Sequence, residues 1–342
     1  MKSSLLAAAA LSTLTTLSLS ARELMCEQCE PEPSCCEHLF VERSQWFVEG
    51  EFLYWTVDTN ALDYAVRMNK STTEINTFAI GDYKTANYDY RPGFRVALSY
   101  YCCPKFWQAT AQYTYLTTDG SDSTTDPEEF DRFIYPTRRT STEGPFEKAS
   151  SDIDFRYHVG DLNVARVFDP NPHLRLRLIG GLTAAAIEQK WKMKAENNAG
   201  GFDRINEDWC FWGGGIRLGI SADWFWGCQF YLTGKTTFAT MIGTYENKEK
   251  QTFGVDNLII SDSKYDDHRF TMNAQFLLGP SWQIPCDCWS FELFAGYEFN
   301  IWFNLHERIR TQFTFVDDSK ETLYAHGLLG VHGLTVRLTL GF

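Results

Sequence analysis

The chain closes on Gly327-Leu-Leu-Gly-Val-His-Gly-Leu-Thr-Val-Arg-Leu-Thr-Leu-Gly-Phe342, and this stretch decides the fold. Leu334, Val336, Leu338, Leu340 and Phe342 share one face of an extended chain, and Gly333, Thr335, Arg337, Thr339 and Gly341 share the other. A period of two is a strand. Nine residues rise ~30 Å at roughly 3.3 Å each. At a tilt of about 40° they cover ~23 Å, close to the apolar band of an outer-membrane barrel. The opposite face, with Arg337 and small polar residues, suits a wet lumen. A soluble β-sandwich strand reads the same way in isolation, so the rest of the chain must meet the same rule.

Nine other segments do. The apolar faces are Trp46-Val48-Phe52-Tyr54, Phe94-Val96-Leu98-Tyr100, Trp107-Ala109-Ala111-Tyr113-Tyr115 and Ile153-Phe155-Tyr157-Val159. They continue with Leu174-Leu176-Leu178-Leu182, Trp212-Ile216-Leu218-Ile220, Phe230-Leu232-Phe238, Phe270-Met272-Phe276-Leu278 and Phe291-Leu293-Tyr297-Phe299-Ile301. In the fourth segment the apolar phase slips near Gly160-Asp161 to Leu162 and Val164, which predicts a β-bulge.

Connections alternate strictly. Short turns at 102–105, 169–172, 223–227 and 285–288 alternate with long polar loops at 57–92, 117–151, 187–209, 245–268 and 306–323. That is the up-and-down pattern of tight periplasmic turns and long extracellular loops. A sandwich gives no reason for it. The expected fold is an all-β, transmembrane, antiparallel β-barrel of about ten strands. A hairpin within 57–92 raises the count to twelve if it spans; its second arm lacks a continuous apolar face, which places it outside the membrane.

The start of the chain reads as a secretory signal over residues 1–20: Lys2, a short apolar run from Leu5, then Ser18-Leu19-Ser20-Ala21. Residues 21–43 form a Cys-rich periplasmic segment, and 44–342 the barrel. The residues before Cys26 do not suit a lipid anchor. No later stretch is apolar for the ~18 residues of a transmembrane helix. The net charge of −13 argues against nucleic acid as a partner.

With 26 Phe, 16 Tyr and 11 Trp, aromatics cluster at the strand ends and predict two girdles in contact with outer-membrane lipid. Trp46, Tyr100, Tyr101, Trp107, Trp224, Trp226, Trp282, Trp289 and Phe342 fall on the turn side. Tyr54, Trp55, Tyr113, Tyr115, Trp209, Trp212 and Trp302 fall on the loop side.

Charged residues oppose the apolar faces. Arg95, Arg156, Arg175, Arg177, Arg217, Lys235, Arg269 and Arg337, with Glu49, Glu51, Asp154, Glu292 and Glu298, are expected to line the lumen. On the lipid side each Arg or Lys near the midplane costs about 2–4 kcal/mol. The slight basic bias points to passive diffusion of small anionic solutes, a porin. The alternative is a lumen plugged by paired charges, as in a structural or adhesive surface protein. A ten-strand barrel of ~10 Å backbone radius would be filled substantially by arginines.

Cys26, Cys29, Cys35, Cys36, Cys102, Cys103, Cys228, Cys286 and Cys288 gather on the periplasmic side; Cys210 does not. In an oxidising compartment disulfides outweigh a zinc site at Cys26-x-x-Cys29 or a redox role. Adjacent or i,i+2 cysteines pair poorly with one another. Bonds to neighbouring envelope proteins or a homo-oligomer are therefore weighed against bonds within the chain. No cofactor or metal is required. An enzyme reading rests on Asp266-Asp267-His268 and Asp317-Asp318 at the outer rim, where carboxylates with a His could activate water. No Gly-x-Ser-x-Gly, Walker or His-Glu-x-x-His motif accompanies them, and the expectation is a protein that is not an enzyme.

Phe47-Val48-Glu49-Gly50-Glu51-Phe52-Leu53-Tyr54-Trp55, followed by Leu62-Asp63-Tyr64-Ala65, resembles the major-outer-membrane-protein-like, pore-forming family of chlamydiae and Legionella. Arg91-Pro92-Gly93-Phe94-Arg95-Val96, Phe294-Ala295-Gly296-Tyr297-Glu298 and Gly333-Leu334-Thr335-Val336-Arg337-Leu338 resemble further blocks. The resemblance covers most of 44–342. It implies a porin, disulfide reinforcement of the envelope, and recognition of the C-terminal strand ending in Phe342 by the barrel-assembly machinery.

Overall fold

The computed structural model describes residues 44–342, apart from 60–61, 69–80, 103–104, 126–133, 138–145, 198–200, 228, 286–288 and 315–318, and without the side chains of 68, 285 and 306–326. The expected segments 1–20 and 21–43 lie outside the described residues, as do all the candidate disulfide cysteines except Cys102. Cys102 and Cys210 are free thiols, both half-buried.

Thirteen strands are described: β1 (Gln45–Thr59), β2 (Asp63–Met68), β3 (Gly81–Thr85), β4 (Arg91–Cys102), β5 (Trp107–Thr125), β6 (Ile134–Pro136), β7 (Lys148–Asn171), β8 (Leu174–Glu196), β9 (Phe202–Gly227), β10 (Phe230–Phe253), β11 (Leu258–Pro285), β12 (Ser290–Thr314) and β13 (Ser319–Gly341). Ten of them close into a barrel in the order β1-β13-β12-β11-β10-β9-β8-β7-β5-β4. Every pairing around the ring is antiparallel. The first and last strands seal it, with Trp46 and Phe342 exchanging backbone hydrogen bonds at 3.0 and 2.9 Å. The predicted strand count holds, but the alternation of short and long connections holds only in the first half of the chain. There 57–92 and 117–151 remain long connections, whereas 187–209, 245–268 and 306–323 are taken up by extension of β8 to β13, which leaves only 197–201, 254–257 and 315–318 between strands.

The hairpin in 57–92 stays out of the wall. β2 and β3 pair with each other, and β2 pairs with β6 from the next long loop. The small sheet they form is separate from the barrel. Between β3 and β4, Ala86 and Tyr88 are buried, and Tyr88 Oη donates to Gln189 Oε1 on β8 at 2.9 Å.

The predicted bulge at Gly160-Asp161 is absent. β5 and β7 stay in register from Thr125↔Lys148 to Trp107↔Arg166 without a shift. The faces never swap; the chemistry on them does. Leu162 and Val164 point out, and Asp161 and Asn163 point in. Farther toward the loops, Ile153, Phe155, Tyr157 and Val159 are the buried, inward residues, and Arg156 is exposed. β8 does the same: Leu178 and Leu182 are exposed in its first half, Ile187, Trp191 and Met193 buried in its second.

The barrel thus has two levels. The belt near the short turns is apolar outside, from Trp46 to Tyr54 on β1 and from Trp212 to Trp226 on β9. The extension toward the loops is mostly polar outside, with ion pairs such as Arg156–Glu188 at 3.9 Å and Lys264–Glu246 at 3.7 Å, and with Val255, Leu258 and Ile259 exposed at the β10–β11 tip. Its inside is a hydrophobic core.

Candidate functional site

Where the two levels meet, the lumen is crossed by one connected layer of polar side chains. Register places Glu51 opposite Arg95 on β4 and opposite Arg337 on β13. Arg95 Nη1 donates to Glu51 Oε2 at 2.6 Å and to Glu298 Oε2 at 2.9 Å, and Nη2 donates to Glu298 Oε1 at 2.7 Å. Arg95 Nε donates to Thr114 Oγ1 at 2.8 Å. Glu298 also accepts from Gln275 Nε2 at 2.6 Å and from Thr335 Oγ1 at 3.2 Å. Gln275 Oε1 accepts from Arg217 Nη1 and Thr237 Oγ1, both at 3.0 Å. Arg217 Nη2 reaches Thr183 Oγ1 at 3.4 Å. Its Nε lies 3.0 Å from Asp161 Oδ1, an ion pair whose angle falls short of a hydrogen bond. Glu51, Arg95, Thr114, Asp161, Thr183, Arg217, Thr237, Gln275, Glu298 and Thr335 come from ten different strands. Every stave of the barrel contributes one group.

The layer is dry. The side chains of Arg95, Glu298, Arg217 and Asp161 are 5% exposed or less. Such charges persist because each one is both paired and hydrogen-bonded. Removing one partner strands another buried charge, at a cost of about 3–5 kcal/mol.

Above the layer sits the aromatic core. Trp55, Trp191, Trp209 and Trp302 are buried inside it, with Phe155, Phe211 and Tyr245. Trp55 Nε1 donates to Thr335 Oγ1 at 3.1 Å, tying core to layer, and the Arg95 guanidinium lies 5.3 Å from the Trp55 ring. Gly333 leaves room for that indole: its φ is 155°, and a Cβ there would fall 2.2 Å from the Tyr54 carbonyl oxygen. The expected loop-side girdle is thereby corrected. Trp55, Trp209 and Trp302 belong to the plug, whereas Tyr54, Tyr113 and Trp212 face outward. Tyr101, expected in the turn-side girdle, lines the lumen.

Below the layer is a cup of about 190 Å³, lined by Glu49, Glu51, Arg95, Arg175, Arg177, Asp223, Lys235, Glu292 and Arg337 among others. Its lower lining, Gln45, Gln283, Ser290 and Thr339, stands beside the short turns, so the cup faces the periplasmic end. Arg337 Nη2 pairs with Glu292 Oε1 at 2.8 Å, Arg177 with Asp223 at 2.6 Å and Arg175 with Asp169 at 2.8 Å.

Most of the predicted lumen charges are therefore brought together, but three are not. Arg156 and Asp154 face outward above the belt, because the face parity runs unbroken through Gly160. Arg269 points inward but lies in the outer extension, its guanidinium 3.8 Å from the Tyr245 ring. Asp161, Asp169 and Asp223 were missed because the slip and the turns had absorbed them; strand parity marks Asp161 and Asp223 as inward. With these carboxylates counted, the expected basic surplus largely disappears. At the outer rim, Asp266 and His268 are exposed on the outer face and Asp267 stands on the inner one, so the rim trio does not converge. Asp317 and Asp318 lie outside the described residues. No cluster of metal-ligating side chains occurs among the described residues.

Residues 40–338 match the family profile described as the Legionella pneumophila major outer membrane protein precursor. The chain belongs to this family. It is an integral outer-membrane β-barrel, as the closed ring and apolar belt require. Among solved structures, the outer-membrane protease OmpT of Escherichia coli aligns at 10% identity and a TM-score of 0.44, covering 87% of this chain and 96% of that one. A Pseudomonas aeruginosa FadL homologue aligns at 8% identity and a TM-score of 0.27, covering 89% and 91%. The Pseudomonas putida toluene transporter TodX aligns at 6% identity and a TM-score of 0.23, covering 88% and 90%. No curated relative matches the chain.

Proposed function

We propose that this family member is an outer-membrane channel that is shut at rest. The observation that carries the reading is the sharp change at the ten-residue layer. Beneath it is a charged half-channel wide enough for water, running through the membrane belt; above it is a buried aromatic core. Diffusion of small polar solutes then waits on displacement of that core. The balance of paired charges supports only a weak preference between anions and cations, less than the anion preference expected from the arginines alone.

A second reading is favoured by the core itself, whose aromatic and aliphatic side chains are as buried as those of a soluble protein: a closed structural or adhesive barrel that never conducts. Planar-bilayer recording separates the two. Wild-type protein is expected to give rare openings. Glu298→Gln leaves Arg95 with half of its counter-charge and should raise the open fraction at least tenfold. Silence from a folded, inserted Glu298→Gln variant across repeated insertions would sink the channel reading and leave the structural one.

Reinforcement of the envelope by disulfides remains part of the proposal. It predicts ladders of cross-linked species on a non-reducing gel, and an unshifted monomer band would remove it.

A further inference from the structure

The cup holds two charged groups that none of its ion pairs uses. Lys235 on β10 lines the cup and has no ion-pair or hydrogen-bond partner among the described residues. The charges that act on it most are Arg95, Glu298, Arg217 and Glu51, which already satisfy one another in the layer above. Glu49 on β1 accepts a hydrogen bond from Ser99 Oγ at 3.1 Å and, among the described residues, pairs with no cation within 4 Å. Around the ring of ten, β10 stands four strands from β1, so the two groups look at each other from nearly opposite walls. A barrel of ~10 Å radius leaves on the order of 8 Å between the tips of two such side chains.

A lone cation in this space would settle Glu49 and leave Lys235 repelled by Arg95 and Arg217. A lone anion would settle Lys235 and leave Glu49 beside Glu51 and Glu292, with only Arg337 to offset them, and Arg337 already pairs with Glu292. A ligand with both charges settles both. The lining between the two walls also carries the side-chain amides of Gln45, Gln108, Gln112 and Gln283, which offer donors and acceptors to peptide groups. The cup has room for several waters, and displacing them suits a ligand of a few residues.

We propose that the cup is a periplasm-facing binding site for a short zwitterionic peptide, its ammonium at Glu49 and its carboxylate at Lys235. The site lies below the ten-residue layer, so occupancy does not depend on the channel opening. A silent bilayer and an empty cup are separate results.

The test uses full-length protein in detergent micelles, with triglycine as the probe followed by calorimetry and saturation-transfer NMR. Triglycine should bind, and N-acetyl-triglycine and triglycinamide should each bind at least tenfold more weakly. Lys235→Gln should weaken triglycine about tenfold and leave triglycinamide unchanged; Glu49→Gln should do the same with N-acetyl-triglycine as its unchanged partner. N-acetyl-triglycine binding as well as triglycine would reduce the cup to an anion site and overturn the proposal. Triglycinamide binding as well would reduce it to a cation site and do the same. No triglycine binding at tens of millimolar would dispose of the site altogether. These arms rest on the ligands, so they stand even if a variant fails to fold.

Discussion

The membrane belt and the outer extension are built from the same strands under opposite rules. On β9, Leu218 is 60% exposed and Arg217 is buried; eight residues earlier, Trp209 is buried and Asp208 is exposed. The difference follows from what lies outside. Lipid gives no hydrophobic reason to bury anything, so the belt is held from within by hydrogen bonds and ion pairs. Water surrounds the extension, so that level must bury apolar side chains as any soluble domain does. The ten-residue layer is the boundary between the two regimes. Its charges face water on the cup side and aromatics on the other.

Removing a large side chain from the plug should hit one level and spare the other. Trp302→Ala empties the volume of an indole that is wholly buried, at an expected cost of about 3–5 kcal/mol. Denaturant unfolding should show an early transition of the outer extension while the belt still resists boiling-dependent mobility shift on a gel. A single transition, displaced as a whole, would show that the two levels are one cooperative unit.

A lysine scan asks whether the outside changes where the faces say it does. Leu218→Lys puts an ammonium in the lipid belt and should cost about 2–4 kcal/mol in folding from urea into bilayers. Asp208→Lys, on the same face but in the extension, should stay within about 0.5 kcal/mol of wild type. Equal costs would move the membrane boundary outward along β9.

The contact between Gly333 and the Trp55 indole joins the levels at the closing seam. Gly333→Ala adds a Cβ 2.2 Å from the Tyr54 carbonyl and 2.9 Å from Trp55 Cδ1, so the β1–β13 ladder or the indole must move. About 1–3 kcal/mol is expected, the range for overpacking. The shift should appear in the near-UV signal of the buried tryptophans.

The sequence made the belt legible because lipid outside and charge inside both follow the period of two. Leu334 to Phe342 and Arg337 lie where the period puts them. The extension was harder to read because the same period returns with its meaning reversed. Ile153-Phe155-Tyr157-Val159 looks like another lipid face, and a slip at Gly160 is then needed to rescue Leu162 and Val164. Holding parity fixed would have sent Phe155 inward with Asp161 and Arg156 outward. It would likewise have sent Trp55 in with Glu51, and Trp302 in with Glu298. The layer itself left little trace: Thr114, Thr183, Thr237 and Thr335 are ordinary strand threonines until register brings them to one height. The β2-β3-β6 sheet joins residues from two separate loops, which no local pattern encodes.

Arg156 gives the smallest effect and the cleanest separation of the two accounts of the wall. Its side chain is 59% exposed and 3.9 Å from an exposed Glu188, the kind of surface pair worth between nothing and about 1 kcal/mol. Arg156→Glu should therefore shift stability by less than about 0.5 kcal/mol. If Arg156 lined a conducting lumen, reversing its charge would move the reversal potential of any current under a salt gradient. On the outer face above the lipid it has no access to the permeating ion, so the reversal potential should not move. The same substitution at Arg177, which lines the cup, should move it toward cations whenever the channel opens. A shift at Arg156 with none at Arg177 would mean that the faces of β7 and β8 are assigned the wrong way round.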